Sequence, residues 1–113
     1  MTRRRQALGR AGEARVAEWY RRHGYRVVAA NWRHGRGELD LVLCDERVLV
    51  FCEVKTRSSD RFGTGFEAVT VDKQRRIRHL AAAFLRTSAW RGPIRFDVAS
   101  VVAGRIDVLE NAF

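Results

Sequence analysis

Hydrophobic positions along the chain change period several times, and each change marks an element. From about Arg5 to His23, the apolar residues Leu8, Ala11, Val16, Trp19, Tyr20 and His23 recur near helical spacing. This predicts an amphipathic helix ended by Gly24, a residue suited to a left-handed C-cap. Tyr25 to Ala30 reads as a short apolar strand, and Asn31 to Gly37 as a basic, glycine-punctuated loop. The next stretch, Gly37-Glu38-Leu39-Asp40-Leu41-Val42-Leu43-Cys44, has the period of two of a strand with one buried face. Val48-Leu49-Val50-Phe51-Cys52 is a continuous apolar run, the pattern of a strand covered on both faces, and it passes straight into Glu53-Val54-Lys55-Thr56-Arg57. Thr70 is an N-cap residue for a helix from Val71 to Thr87, with Ile77, Leu80, Ala81 and Phe84 inward and Arg75, Arg76, Arg78 and Arg86 outward. After a turn at Trp90 to Pro93, Ile94 to Val102 and Arg105 to Leu109 form a last pair of strands around Ala103-Gly104. The order α-β-β-β-α-β-β predicts one α/β domain over residues 1–113, a mixed sheet with helices packed on it and the second helix as a crossover.

Parity decides which side chains of the central hairpin share a face. A turn of two or four residues around Glu46-Arg47 sets Asp40 opposite Glu53, whereas three residues would set it opposite Cys52. In the even register Asp40, Glu53 and Lys55 crowd one patch, because residues two apart on a strand point the same way. Facing carboxylates repel unless a cation lies between them. A hard divalent ion, Mg²⁺ or Mn²⁺, relieves that repulsion, with Asp40 and Glu53 as its ligands. Lys55 beside them would orient or deprotonate an attacking water, a site for phosphodiester hydrolysis. The same residues also read as a polar sheet edge with a structural Glu–Lys pair.

Composition sharpens this picture. The chain holds 20 arginines and only two lysines, Lys55 and Lys73, so one of its two lysines stands beside the carboxylates. Arginine stays charged at any working pH, whereas a lysine is a compact charge that can lose its proton. A net charge of +9 and a pI near 11.1 call for an anionic partner, nucleic acid before a membrane surface. The longest apolar run is far short of the roughly 20 residues that span a bilayer, and Arg3-Arg4-Arg5 is not followed by the apolar stretch of a signal peptide. In the even register Cys44 and Cys52 fall on opposite faces of the hairpin, and both read as free buried thiols of a cytoplasmic protein.

Other candidates surround the motif. Glu13 borders the apolar stripe of the first helix, among small neighbours that let the helix approach the sheet and aim the carboxylate at the cluster; its other reading is a solvated pair with Arg10. Arg33 and Arg36 precede the site, Arg57 and Arg61 follow it, and Lys73 opens the second helix, all suited to phosphate contact. Trp32 either stacks on a base or plugs the core edge. His34 lacks a partner at metal-ligand spacing. Arg57 to Phe66 reads as a mobile loop, either closing over DNA or merely a long connection. Asp97 reads as an anchor for Arg95 or a loop.

These residues resemble a known pattern. An acidic residue on a helix, Asp on one strand and Glu-x-Lys on the next is the order of the PD-(D/E)xK nucleases. The strings Asn31-Trp32-Arg33, Gly37 to Leu41 and Phe51 to Arg57, with Phe62-Gly63, Lys73 and Arg95-Phe96-Asp97, resemble the YraN-like, UPF0102-type family of predicted nucleases from about Gly9 through Val98. The resemblance implies a restriction-endonuclease-like core, similar to archaeal Holliday junction resolvases, and a metal-dependent endonuclease acting on DNA, including branched DNA. It draws Glu13 into the site and makes Gln74 a candidate, since related nucleases use a polar residue near that helix start. It also implies a homodimer, the state of junction-resolving relatives. The alternative is a non-catalytic basic nucleic-acid-binding module whose carboxylates and lysine are structural.

Overall fold

A computed structural model describes residues 3–57 and 69–113, so Arg61 and the loop expected from Arg57 to Phe66, beyond Arg57 itself, lie outside the described residues. The chain forms helix α1 (Arg3–Arg22), strands β1 (Arg26–His34), β2 (Gly37–Cys44) and β3 (Leu49–Arg57), helix α2 (Val71–Thr87), and strands β4 (Ile94–Val102) and β5 (Arg105–Leu109). The five strands lie in chain order in one mixed sheet, antiparallel except for the parallel pair β3–β4, which α2 connects. The expected α/β fold with a mixed sheet is thus present.

The two faces of the sheet bury separate cores, which explains why Leu41 to Cys44 of β2 and Leu49 to Cys52 of β3 are continuous apolar runs. Val16, Ala17 and Tyr20 of α1 pack with Leu41, Leu43, Val50, Cys52 and Ala99. Ile77, Leu80, Ala81 and Phe84 of α2 pack with Leu39, Val42, Cys44, Phe51 and Phe96. Cys44 and Cys52 are both buried and free, one in each core.

Helix ends follow local chemistry. Thr70 Oγ1 accepts the N–H of Lys73, which fixes the first turn of α2 at the expected cap. At the end of α1, Tyr25 N–H donates to the Tyr20 carbonyl and Gly24 N–H to that of Arg21, with Gly24 at φ +88. This is the Schellman arrangement, and its hydrophobic contact is the edge-to-face pair Tyr20–Tyr25.

The face of α1 differs from the expected stripe. Leu8 and Ala11 are exposed, and Gly12, Val16, Ala17 and Tyr20 face the sheet. Gly12 is the reason: a Cβ there would fall on Thr56 Oγ1, so only glycine lets the helix settle at this depth. Thr56 Oγ1 is itself buried without a hydrogen-bond partner.

Strand β1 is also longer than its apolar pattern. Asn31 to His34 continue the strand and pair with β2 as far as His34↔Gly37, leaving Gly35-Arg36 as a two-residue turn. Gly35, at φ +60, takes the first corner, where such a hairpin favours glycine. A register shift between Val27 and Ala29 and the left-handed Asn31 (φ +52) break the alternation, hence the loop-like sequence.

Candidate active site

The turn between β2 and β3 sets the site. Asp45 Oδ1 accepts the N–H groups of Arg47 and Val48, each at 2.8 Å, and the four residues Asp45 to Val48 close the hairpin in the even register, Cys44↔Leu49 through Leu41↔Cys52. The ladder stops there. One step further stand Asp40 and Glu53, and Asp40 Oδ2 accepts the N–H of Val54 at 2.8 Å instead of leaving it to a backbone carbonyl. Alternation on β2 fails at the same point: Leu39 packs on the α2 side and Leu41 on the α1 side. Across β1, Asn31 lies between the pairs Ala30↔Leu41 and Trp32↔Leu39. Its left-handed backbone, which asparagine tolerates better than most residues, sends its amide to Glu13 Oε1 of α1 at 2.8 Å.

The carboxylates therefore converge from three elements. Asp40 is in hydrogen-bonding contact with both Glu53 and Glu13. Burial, then the charge of Glu53, push the Asp40 carboxyl up to about 8, against the Val54 hydrogen bond; Glu13 adds to the rise. Glu13 is raised as well, by burial first, with Glu38 adding to it and the Asn31 and Asp40 hydrogen bonds opposing it. Its solvated-pair reading with Arg10 is not the arrangement found.

Lys55 Nζ lies 3.2 Å from Glu53 Oε1, both side chains largely withdrawn from solvent. Burial pulls the Lys55 ammonium down, but donation to the amine form of Lys73 and the charges of Glu53 and Asp40 outweigh burial and hold it above the usual lysine value. Lys73 is lowered by accepting that bond, which only its neutral amine can do, then by burial and by the charge of Lys55. The two lysines of an arginine-rich chain thus meet beside the carboxylates. In this arrangement Lys55 is held as a positive charge.

The other candidates separate. Arg36 and Lys73 line a cleft that opens on Glu53, while Arg33 is exposed on β1 and Arg57 ends β3. Gln74 Nε2 donates to the Val69 carbonyl at 3.3 Å, an interaction at the helix start rather than with the carboxylates. Trp32 plugs the core edge, edge-on to Phe84 at 5.3 Å, with the His34 ring stacked parallel to it at 5.7 Å. Asp97 anchors Arg95, as expected, through bonds of 2.8 and 2.9 Å. Asn31 is the site neighbour that pattern reading left in a loop; its only signal was an asparagine interrupting a strand-like run.

Among the described residues, no group of three or more His, Cys, Asp or Glu side chains stands in ion-holding geometry. Two carboxylates in contact, one with a raised proton affinity, still fit an ion that takes one or two carboxylates and fills its shell with water. No helix among the described residues is long and apolar enough to cross a membrane.

Fold and site define a class: an α/β protein with a carboxylate–lysine cluster where the two central hairpin strands part. Within that class the chain belongs to the uncharacterised protein family UPF0102, whose pattern matches residues 12–101 and so spans Glu13, Asp40, Glu53, Lys55 and Lys73. It is 46% identical over 112 residues to a UPF0102 protein of Symbiobacterium thermophilum, covering 94% of this chain and 95% of that one. A UPF0102 protein of Nocardia farcinica is 48% identical over 100 residues, 87% and 78% of the two chains. One of Mycolicibacterium vanbaalenii is 43% identical over 111 residues, 96% and 91%.

Proposed function

We propose that this protein is a metal-dependent endonuclease of the PD-(D/E)xK type, with a restriction-endonuclease-like core, that hydrolyses phosphodiester bonds in DNA. The observation that carries the reading is the contact of Asp40 with Glu53, with the Lys55 ammonium 3.2 Å from Glu53. Asp40 and Glu53 would hold Mg²⁺ or Mn²⁺, which supplies Lewis-acid polarisation of the phosphoryl oxygens. Lys55, with Lys73 beside it, presents positive charge where a phosphate gathers negative charge in the transition state. Asn31 orients Glu13, and Glu13 adds to the proton affinity that burial and Glu53 give Asp40. Arg33, Arg36, Arg57 and Arg61 serve as phosphate contacts that position the strand without reading its sequence.

A panel of single-stranded, duplex, flap and four-way-junction DNAs, incubated with Mg²⁺, Mn²⁺ or EDTA, tests this. Cutting in either metal and none in EDTA is the expected result. Binding to the panel without cutting favours the second reading, a basic nucleic-acid-binding module, whose support is that Asp40 already caps Val54 and Lys55 already pairs Glu53. A twofold dimer in the cytoplasm belongs to the same proposal; light scattering that gives a monomer both free and with junction DNA would remove the dimer.

A further inference from the structure

The cleft beside the carboxylates is larger than an ion and its waters require, about 540 Å³, and its lining is not that of a bare phosphate site. Ile77 and Leu80 give it an apolar floor. Arg36 on the β1–β2 corner and Lys73 and Arg76 on α2 set basic side chains around that floor, with Glu38 and Glu53 on the sheet side. A side chain at Gly37 would meet Leu80 at 2.8 Å, so glycine there lets corner and helix close on the floor without displacing it.

Apolar floor and basic side chains together match one nucleotide, a flat base on aliphatic surface with phosphates held at its edges. Glu53 belongs both to the cleft and to the carboxylate pair, and Lys73 both to the rim and to the contact with Lys55. A strand with its phosphate at the two lysines therefore brings the adjoining base to the cleft mouth. In a duplex that base is stacked and paired, and removing it costs unstacking energy, least where the nucleotide is already unpaired.

We propose that the cleft between α2 and the β1–β2 corner seats one unpaired DNA nucleotide beside the phosphate to be cut, which makes single-stranded, flapped or branched DNA the substrate class. This rests on the nuclease reading above.

His79 lines the cleft from an exposed position on α2, so His79→Trp fills it without touching the core. Anisotropy in EDTA, with a labelled single strand and a blunt duplex of the same length, measures the cleft apart from chemistry. The expected result is that His79→Trp weakens the single strand roughly tenfold or more and the duplex less than about twofold. Emission of 2-aminopurine at the unpaired position changes on binding the wild type and not the variant. Equal weakening of both DNAs, or an unchanged single-strand affinity, overturns the proposal. Blunt duplex cut in Mg²⁺ as fast as single strands also overturns it while leaving the nuclease reading intact. Cleft-dependent single-strand binding without any cutting supports the cleft and overturns the nuclease reading.

Discussion

Two aspartates of the same sheet, Asp97 and Asp40, are both withdrawn from solvent and have opposite surroundings. Asp97, on β4 and fully buried, accepts from Tyr20 Oη at 2.6 Å, from Arg95 Nε and Nη2, and from the Asn111 N–H at 3.0 Å. Every lone-pair direction has a donor and the charge has its own guanidinium. Asp40, on β2, accepts one backbone N–H and otherwise faces Glu53 and Glu13. A carboxylate satisfied four ways ties α1, β4 and the chain after β5 together; a carboxylate set among carboxylates holds repulsion that a proton or a cation must relieve. Asp97 is thus satisfied in place, whereas the surroundings of Asp40 are those the proposed metal site requires.

Activity should break the comparison most sharply. Asp40→Asn, Glu53→Gln and Lys55→Ala should each lower metal-dependent cutting by roughly 10³-fold or more in single-turnover rates, because each removes charge stabilisation made only in the transition state. Lys55→Arg should keep part of the rate, since the ammonium acts as a held charge.

Stability should break it from the other side. Asp97→Ala should cost about 3–5 kcal/mol in urea unfolding, because Arg95 and the Tyr20 hydroxyl lose their buried partner. Gly12→Val should cost about 1–3 kcal/mol through overpacking on Thr56, and it should lower cutting too, since it lifts the helix that carries Glu13. An unchanged melting point for Gly12→Val would show that α1 has room to shift.

Much of this was legible from local signals. The even parity that sets Asp40 against Glu53 was one of two that the sequence left open, and the four-residue turn closed on Asp45 selects it. The bounds of α2 and its Thr70 cap, and the strands β4 and β5, were legible because their signals work over a few residues. What escaped reading depends on partners distant in sequence. Asn31 looks like a loop residue because its left-handed backbone serves Glu13, eighteen residues earlier. Gly12 looks unremarkable until Thr56 lies beneath it, and the stripe with Leu8 and Ala11 rotated for that contact. Lys73 carried a signal, as the second of two lysines, but only the crossover of α2 onto the sheet brings it to Lys55.

The smallest expected effect is the most direct test. The folded Asp40 binds its proton more tightly than the unfolded chain, whose aspartate titrates near about 3.9. Its contribution to stability is therefore full at low pH and is lost as pH rises toward about 8. The groups facing it are Glu53 on β3, Glu13 on α1 and the nearby Lys55 charge. Asp40→Asn keeps an acceptor for Val54 and removes the charge, so it should leave the melting point unchanged or slightly higher near neutral pH. The measurement is the melting temperature of wild type and Asp40→Asn from pH 5 to 9, with and without Mg²⁺. The account predicts a wild-type melting point that falls with pH without metal and is restored by Mg²⁺ increasingly above neutrality, and an Asp40→Asn curve that is flatter and blind to Mg²⁺. A variant clearly less stable than wild type across the range, with no Mg²⁺ shift in either protein, would place Asp40 beside Asp97 as a structural charge and contradict the metal site.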